Sequence, residues 1–587
     1  MQAPRTVILP LLLSLLLATC GGPADERPNV ILITLDTTRA DRIMDPQRTP
    51  HITAFAAECL TFTNARSVGS LTLPAHASIM TGLYPPRHTA RGNGPLVLPQ
   101  TANTLAERAS SSGYRTAGFV GSLALDRAYG IAQGFAEWDQ PARRTGRAVG
   151  EISERPGSAV IESVASWFDS EPAGDTRPLF LWVHLFDPHA PYAPPALFLE
   201  RANGNAYDGE IGAVDAAVGA LLANLRVRGL LDDAVVMIVG DHGESLGEHG
   251  EATHGLLAYD ATLRVPFLLR EPNGKRAGTL DTTLVSVVDV QPTLLAAMGI
   301  EADPDIDGVN LYDRPAPEGR ALYCESHEGW RLYGWSPLAG WIDARGKYLH
   351  SSAPELYDLA ADPAELHNLW TADFDLTVQA DRFRRLAAKS RLGLEPIAPL
   401  DERRARELAA LGYTASAHEA ELFPGVPDLT APTSPDAATD APDHWSTRHP
   451  SPAERIAEAR ATEDAHALLL GGQRDAAAKR FELLLAENSA NLVAADRLIE
   501  IRLAQEAWPA ALALLSARAK RPPETIATHR DLARCLTALG REAEAARHIR
   551  RSLELFILHH ERRGEAAEAD RYRRILADAP SPDSEER

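Results

Sequence analysis

Four short stretches of this 587-residue chain carry residues that could do chemistry together. SLTLPAHASIMTG, from Ser70 to Gly82, sets Thr72 two positions ahead of a proline. LITLDTTRAD carries Asp36, IVGDHGESLGEHG carries Asp241 and His242, and DPH carries Asp187 and His189. A threonine hydroxyl is a poor nucleophile unless a base or a metal lowers its pKa. Carboxylates and imidazoles are both suitable ligands for a divalent cation. Asp36, Asp241 and His242 are therefore the candidate metal ligands, and Thr72 the candidate nucleophile. Taken one at a time the signals are weaker. Either aspartate alone reads as a turn former, and Thr72 alone reads as a plain helix N-cap.

The elements that must position them follow from hydrophobic patterning. NVILITL (29–35), LFLWVHL (179–185) and AVVMIVG (234–240) are largely apolar runs of the kind found in strands covered on both faces. Between them lie amphipathic stretches such as TLAERASSSGY and YDGEIGAVDAAVGALLANLRVRG. Strands alternating with helices predict an α/β fold with a mostly parallel sheet sandwiched by helices. In such a sheet ligands bind beyond the carboxyl ends of the strands. Asp36 follows the first apolar run and Asp241-His242 follows the third, so both groups are delivered there. Pro74 predicts a helix over 75–81 ended by Gly82, which leaves Thr72 at a helix N-terminus that favours an anion.

The net charge of −21 excludes a nucleic-acid partner, which needs clustered Lys and Arg. MQAPRTVILPLLLSLLLATC places one arginine before an apolar run too short to span a bilayer, and predicts a signal peptide over residues 1–20. Its end, Leu17-Ala18-Thr19-Cys20, resembles the bacterial lipobox. Cys20 is then expected to be lipidated, tethering an exported protein to a membrane surface at the periplasm or cell surface without spanning it. An ordinary cleaved signal peptide is the alternative. Cys59, Cys324 and Cys535 have no metal or disulfide spacing and read as buried small hydrophobes.

Residues 414–452, rich in Pro, Ala, Asp, Thr and Ser, read as a linker. Beyond it, over 453–587, GGQRDAAAKRFELLLA, QEAWPAALALLSARA and LGREAEAARHIRRSLEL align through Asp475, Trp508 and Glu542, a period of roughly 33–34 residues. That period predicts an all-α, tetratricopeptide-like repeat domain offering a surface to a protein partner. An irregular helical bundle is the alternative.

The region 28–413 resembles the sulfatase family of the alkaline-phosphatase superfamily. The stretches that carry the likeness are NVILITLDTTRADR, SLTLPAHASIMTGLYPPRH, TLAERASSSGYRTAGFV, FLWVHLFDPHAPYAPP, YDGEIGAVD, GDHGESLGEHG, HGLLAYDATLRVPFLL, DVQPTLLAAMGI, ELYDLAADPAELHNL and LAALGYTA. They span about two-thirds of the chain. The resemblance implies an alkaline-phosphatase-like fold and a metal-dependent hydrolase of a sulfuric or phosphoric ester. It implies that Asp36, Asp241 and His242 bind the metal and that Thr72 is the nucleophile, its oxygen also on the metal. His76 falls where sulfatases carry the arginine of Cys-x-Pro-Ser-Arg. His189 matches a histidine that contacts the substrate's anionic group, and His254 stands where many members have a lysine with that task. Thr72, His76, His189 and His254 are thus the implied catalytic residues. His88 and His249 read as loop residues, and Glu244 and Glu248 as solvated or supporting rather than ligating.

The departures from the family pattern sharpen the expectation. Sulfatases convert a cysteine or serine at the nucleophile position into formylglycine. Threonine oxidation would yield a ketone instead, so Thr72 must attack directly and form an ester that water later cleaves. Thr72 in this respect resembles the nucleophiles of phosphodiesterases and head-group transferases of the superfamily, which favours a phosphodiester or phosphonate substrate. His76 and His254 remove two fixed positive charges, and Thr37 stands where many members carry a second aspartate. One divalent ion (Mn, Zn or Ca) is expected, with Mn or Zn favoured by the histidine. A second site built from Asp187, His189, His249 and His254 is the weaker reading, because Asp187 and His189 are spaced differently from the matching pair in the two-metal branch. The expected substrate is a small-molecule, glycan or lipid ester. A phosphoryl head-group transferase and an inactive sulfatase-like scaffold are the competing functions.

Overall fold

The computed structural model describes residues 27–94, 96–141, 155–171, 175–313, 317–394, 424–429, 445, 449–520, 525–562 and 566–579. The signal-peptide and Cys20 expectations, and most of the stretch 414–452, lie outside the described residues.

In chain order the first sheet is made of β1 (Val30–Leu35), β2 (Leu60–Arg66), β3 (Arg115–Val120), β4 (Glu137–Asp139), β5 (Leu179–Leu185), β6 (Val235–Gly240), β7 (Phe267–Arg270) and β8 (Thr279–Ser286). Across the sheet they run β4-β3-β5-β1-β6-β7-β2-β8. Every pairing is parallel except those of β7, which is antiparallel to both β6 and β2. This is the mostly parallel α/β architecture that the patterning predicts.

The apolar runs are continuous because both faces are buried. Along β1, Val30 and Leu32 belong to one core, while Ile31, Ile33 and Leu35 belong to the other. Strand β5 splits the same way, with Phe180 and Trp182 on the first face and Leu181 and Val183 on the second. Helix α1 (Thr72–Thr81) lies in the first core and is buried at every position. On the second face lie α2 (Gly157–Ser170) and the long α3 (Ala206–Val227).

A smaller antiparallel sheet follows, ordered β12-β11-β10-β9, from β9 (Leu322–Ser326), β10 (Leu338–Asp343), β11 (Gly346–His350) and β12 (Glu355–Tyr357). The short helix α4 (Glu328–Tyr333) links β9 to β10. Described pieces of the Pro/Ala-rich stretch pack on this body: the Pro424 carbonyl accepts from Arg91, and Val426, Leu429 and Trp445 lie against the first core.

The rest is helical: α5 (Pro452–Leu470), α6 (Arg474–Glu487), α7 (Leu492–Ala504), α8 (Trp508–Arg518), α9 (Ile526–Ala538), α10 (Glu542–Arg562) and α11 (Ala566–Asp578). Each helix packs on the next in order. Asp475, Trp508 and Glu542, the three aligned positions, fall in the first turns of α6, α8 and α10. Cys59, Cys324 and Cys535 are buried free thiols.

Candidate active site and metal centre

Strand register brings the acidic groups together. Leu35 pairs with Gly240, so Asp36 and Asp241, one residue further on, emerge side by side. The Asp241 backbone N–H donates to the Leu35 carbonyl at 3.3 Å, and the Asp36 N–H donates to the Leu185 carbonyl at 3.0 Å. Asp36, Asp241 and His242 are each fully buried.

Their hydrogen bonds leave one atom of each without a partner. Asp241 Oδ1 accepts from the backbone N–H groups of Thr37 (3.2 Å) and His242 (2.6 Å). His242 donates Nδ1–H to the Gly243 carbonyl at 2.9 Å, which leaves Nε2 with its lone pair. Asp36 Oδ1, Asp241 Oδ2 and His242 Nε2 are buried and make no hydrogen bond. His242 Nε2 stands 3.7 Å from Asp36 Oδ1 and 3.6 Å from Asp241 Oδ2. Buried polar atoms are almost always paired. Three orphaned lone pairs converging in one dry pocket are the donor set of a divalent-cation site, and among the described residues this is the one group of three or more such side chains that could hold a metal. The Thr37 hydroxyl, on a residue with φ of +46°, is a further buried oxygen without a partner.

The electrostatics agree. Burial raises the Asp36 carboxyl to about 6, against the pull of His189 and His254. Burial, and then the charge of Asp36 beside it, pushes Asp241 well above the usual carboxylate range. Two acids forced together in a dry site resist ionising, and a cation between them removes that cost.

Thr72 reaches this pocket from the other side. The helix starts earlier than Pro74 suggests: Leu71 is the N-cap and Thr72 the first helical residue, with no side-chain capping bond. Proline is tolerated three residues into a helix because the first-turn N–H groups have no helical acceptor. The Leu73 N–H is taken up instead by Asn93 Oδ1 at 2.8 Å. The Thr72 hydroxyl is fully buried and points at Asp36 Oδ2, 3.5 Å away.

The histidines divide into two groups. His76, one turn along α1, bonds the Thr72 carbonyl through Nδ1 (2.8 Å) and the Thr34 hydroxyl through Nε2 (3.0 Å). Its Nδ1 is also 3.5 Å from Asp241 Oδ2, so it sits beneath the metal centre. His189 and His254 pack edge to face beside this pocket, ring centroids 5.0 Å apart, and the His254 ring lies 4.7 Å from that of His242. His189 Nδ1 bonds the Ala190 carbonyl at 2.6 Å, with its ring stacked on Phe186. His254 Nδ1 is 2.9 Å from Glu244 Oε1, and Glu244 Oε2 accepts from the Tyr192 hydroxyl at 2.9 Å. Burial holds both His189 and His254 down to about 4.

Other candidates stand elsewhere. Asp187 turns its carboxylate to the Gly157 N–H at the start of α2, 2.7 Å away. His249 stacks on Tyr259 and bonds the Ala364 carbonyl, and His88 bonds Ser78. Glu248 pairs with Arg39, away from the metal pocket.

One participant escapes a reading of the sequence. His184, the sixth residue of β5, accepts the Gly121 N–H on Nδ1 (3.3 Å) and therefore carries its proton on Nε2, which donates to Asp36 Oδ2 at 3.2 Å. It hides inside an apolar run, and the available signal is its place near the carboxyl end of a strand beside β1. Glu244, read from the sequence as solvated or supporting, is fully buried and pairs with His254.

Residues 28–300 match the sulfatase family model. The chain is 28% identical over 396 residues to the ulvan-active sulfatase of Formosa agariphila, covering 58% of this chain and 77% of that one. It is 25% identical over 432 residues to the choline-sulfatase of Rhizobium meliloti, covering 58% and 82%. Its fold superposes on the crystal structure of the phosphonate monoester hydrolase of Agrobacterium radiobacter with a TM-score of 0.53 and 23% identity, covering 62% of this chain and 96% of that one. The helices from α5 onward lie beyond the family match. The family match and the relatives together support one assignment: the region from residue 28 to 300 is similar to the sulfatases, and the protein is an ester hydrolase.

Proposed function

We propose that the protein hydrolyses a phosphoric diester or a phosphonate monoester by direct attack of Thr72. The observation that carries this reading is the Thr72 hydroxyl aimed at Asp36, beside three orphaned ligand atoms. Asp36, Asp241, His242 and the Thr72 oxygen would hold one divalent ion (Mn, Zn or Ca). When bound, that ion supplies positive charge to a nucleophile and to an anionic substrate.

The chain's own residues do the rest. The N-terminus of α1 faces the anion with its first-turn dipole. His76, bonded to the Thr72 carbonyl, is a positioning residue that fixes the first turn of the helix. Thr72 Oγ passes its proton to Asp36 Oδ2, which it faces at 3.5 Å, and forms a bond to phosphorus as the bond to the leaving oxygen breaks; the leaving oxygen takes a proton from His254. Glu244 on Nδ1 steadies the imidazolium of His254, and the substrate's negative charge beside the ring favours the protonated form that burial alone disfavours. His189 contacts an anionic oxygen of the substrate. Water then cleaves the threonine ester: it gives a proton to the neutral His254 imidazole as its oxygen bonds to phosphorus, and the departing Thr72 oxygen recovers its proton from Asp36.

Export and anchoring through Cys20 belong to the same reading, on the strength of residues 1–20. So does a tetratricopeptide-like character of the C-terminal helices, which rests on their roughly 33-residue period.

The test is a matched series of 4-nitrophenyl esters (sulfate, phosphate monoester, phosphate diester and phenylphosphonate) with Mn²⁺, Zn²⁺ or Ca²⁺ added in turn. Preferred cleavage of the diester or phosphonate supports the proposal. Preferred release of sulfate refutes the argument drawn from threonine.

A further inference from the structure

The loop that carries His254 is gripped from two sides. On the side of the catalytic domain, the Gly255 N–H donates to the Ser70 hydroxyl (3.2 Å), which itself donates to the Leu257 carbonyl (3.2 Å). Ser70 is two residues from Thr72, so the loop and the nucleophile share one anchor. Within the loop, the buried Glu251 accepts from the Leu256 and Leu257 N–H groups at 2.7 and 3.1 Å.

The second side belongs to the helical module. Ile456 of α5 lies against Gly250, where an added Cβ would come within 3.0 Å of its Cγ2. Ile456 and Ala459 are buried in one cluster with Leu257, Ala258 and Tyr259 from the loop side and with Tyr333 at the end of α4 and Trp335 just beyond it. Thr253 and His254 line a small cavity whose opposite wall is Ile456 and Ala459. Glu458 locks α5 in this seat: its Oε2 accepts from Trp335 Nε1 (3.1 Å), and its Oε1 accepts from Asn488 (2.7 Å) and Asn491 (3.0 Å) at the α6–α7 turn. Asn488 also donates to the Tyr333 carbonyl at 2.9 Å.

We propose that the helical module is a working part of the active site: through Ile456, seated by Glu458, α5 clamps the loop 247–257 and fixes His254. The proposal rests on the reading of His254 as the leaving-group acid. It makes Ile456 a positioning residue, although it belongs to a segment outside the family match. Its distance from the chemistry matters because small misplacements of a proton donor cost large factors in rate.

The test uses the full chain as Ile456→Ala, with Ile456→Val as the conservative variant. Leu515→Ala, a buried position between α8 and α9 that touches neither α5 nor the loop, is the control. Hydrogen–deuterium exchange of residues 247–257 is the first readout. Ile456→Ala should speed exchange there about 10-fold, Ile456→Val should restore it, and Leu515→Ala should leave it unchanged. The second readout is kcat on phenyl and 4-nitrophenyl esters of the class that turns over. Ile456→Ala should lower kcat about 10-fold for the poorer phenyl leaving group, and less for 4-nitrophenyl, with KM held. Exchange at the wild-type rate in Ile456→Ala, or equal acceleration in Leu515→Ala, overturns the proposal. A wild-type chain that turns over no ester leaves the exchange result standing, and so separates failure of the catalytic reading from failure of the clamp.

Discussion

His184 Nε2 donates a hydrogen bond to Asp36 Oδ2 across 3.2 Å, and both side chains are fully buried. The same carboxylate offers its other oxygen, Oδ1, to the candidate metal centre. His184 therefore decides which way Asp36 faces. Partners that orient a ligand typically contribute 10–100-fold to metal affinity. His184→Ala should weaken Mn²⁺ or Zn²⁺ binding by about that factor, measured by calorimetry on chelator-stripped protein, with the fold retained by circular dichroism.

Metal removal should destabilise the chain. Asp36 and Asp241 raise each other's cost of ionising, and a bound cation relieves it. A metal at about 100 times its Kd adds about 2.7 kcal/mol to stability. Chelator should therefore lower the Tm and added Mn²⁺ or Zn²⁺ restore it. In Asp241→Asn that metal-dependent rise should vanish, while the metal-free Tm stays the same or increases because the carboxylate repulsion is gone. A metal-dependent shift of wild-type size in Asp241→Asn would contradict the ligand set.

The support beneath the nucleophile has its own pH signature. Arg91 holds Glu325 through Nε (2.8 Å) and Nη2 (2.6 Å) in a buried pair, two residues from the Asn93 that caps Leu73. Burial would raise the Glu325 carboxyl, but the Arg91 guanidinium outweighs it and holds the group down at about 2, below the ordinary 4.5. The pair's contribution is present above pH 4.5 and is lost as pH falls towards 2. Arg91→Ala leaves the buried acid without its guanidinium, held only by the Tyr323 hydroxyl and His327, and should cost about 3–5 kcal/mol at pH 7. In that variant burial is opposed only by His327 and the Tyr323 hydroxyl, so the carboxyl should rise and the gap from wild type should narrow as pH drops from 7 to 4. Urea unfolding across that range measures it.

The legible parts of this protein are those in which a local pattern has a single physical meaning. The runs at 29–35, 179–185 and 234–240 are apolar without alternation because strands buried on both faces need apolar residues on both. The residues just beyond two of them, Asp36 and Asp241-His242, could be placed at one site before any register was known. α1 opens three residues before the start that Pro74 predicts, since a proline marks the first turn without saying which residue opens it. His184 was hidden because an imidazole inside an apolar strand has no spacing signature. Its meaning comes from β5 pairing with β1, a contact 148 residues apart in the chain. The seat of Ile456 on the loop of His254 is likewise a product of packing, with no signal in the PAERIAEARA stretch itself.

The most direct test of the central claim is to trap the threonine ester. The full chain with metal, turning over the best phosphodiester or phosphonate, is quenched in acid and digested with trypsin. The peptide from Ser67 to Arg87 is then fragmented in a mass spectrometer. The account predicts a phosphoryl or phosphonyl adduct on Thr72. It also predicts turnover lost by about 10³-fold or more in Thr72→Ala and retained in Thr72→Ser. Turnover without any adduct, undiminished in Thr72→Ala, would contradict it.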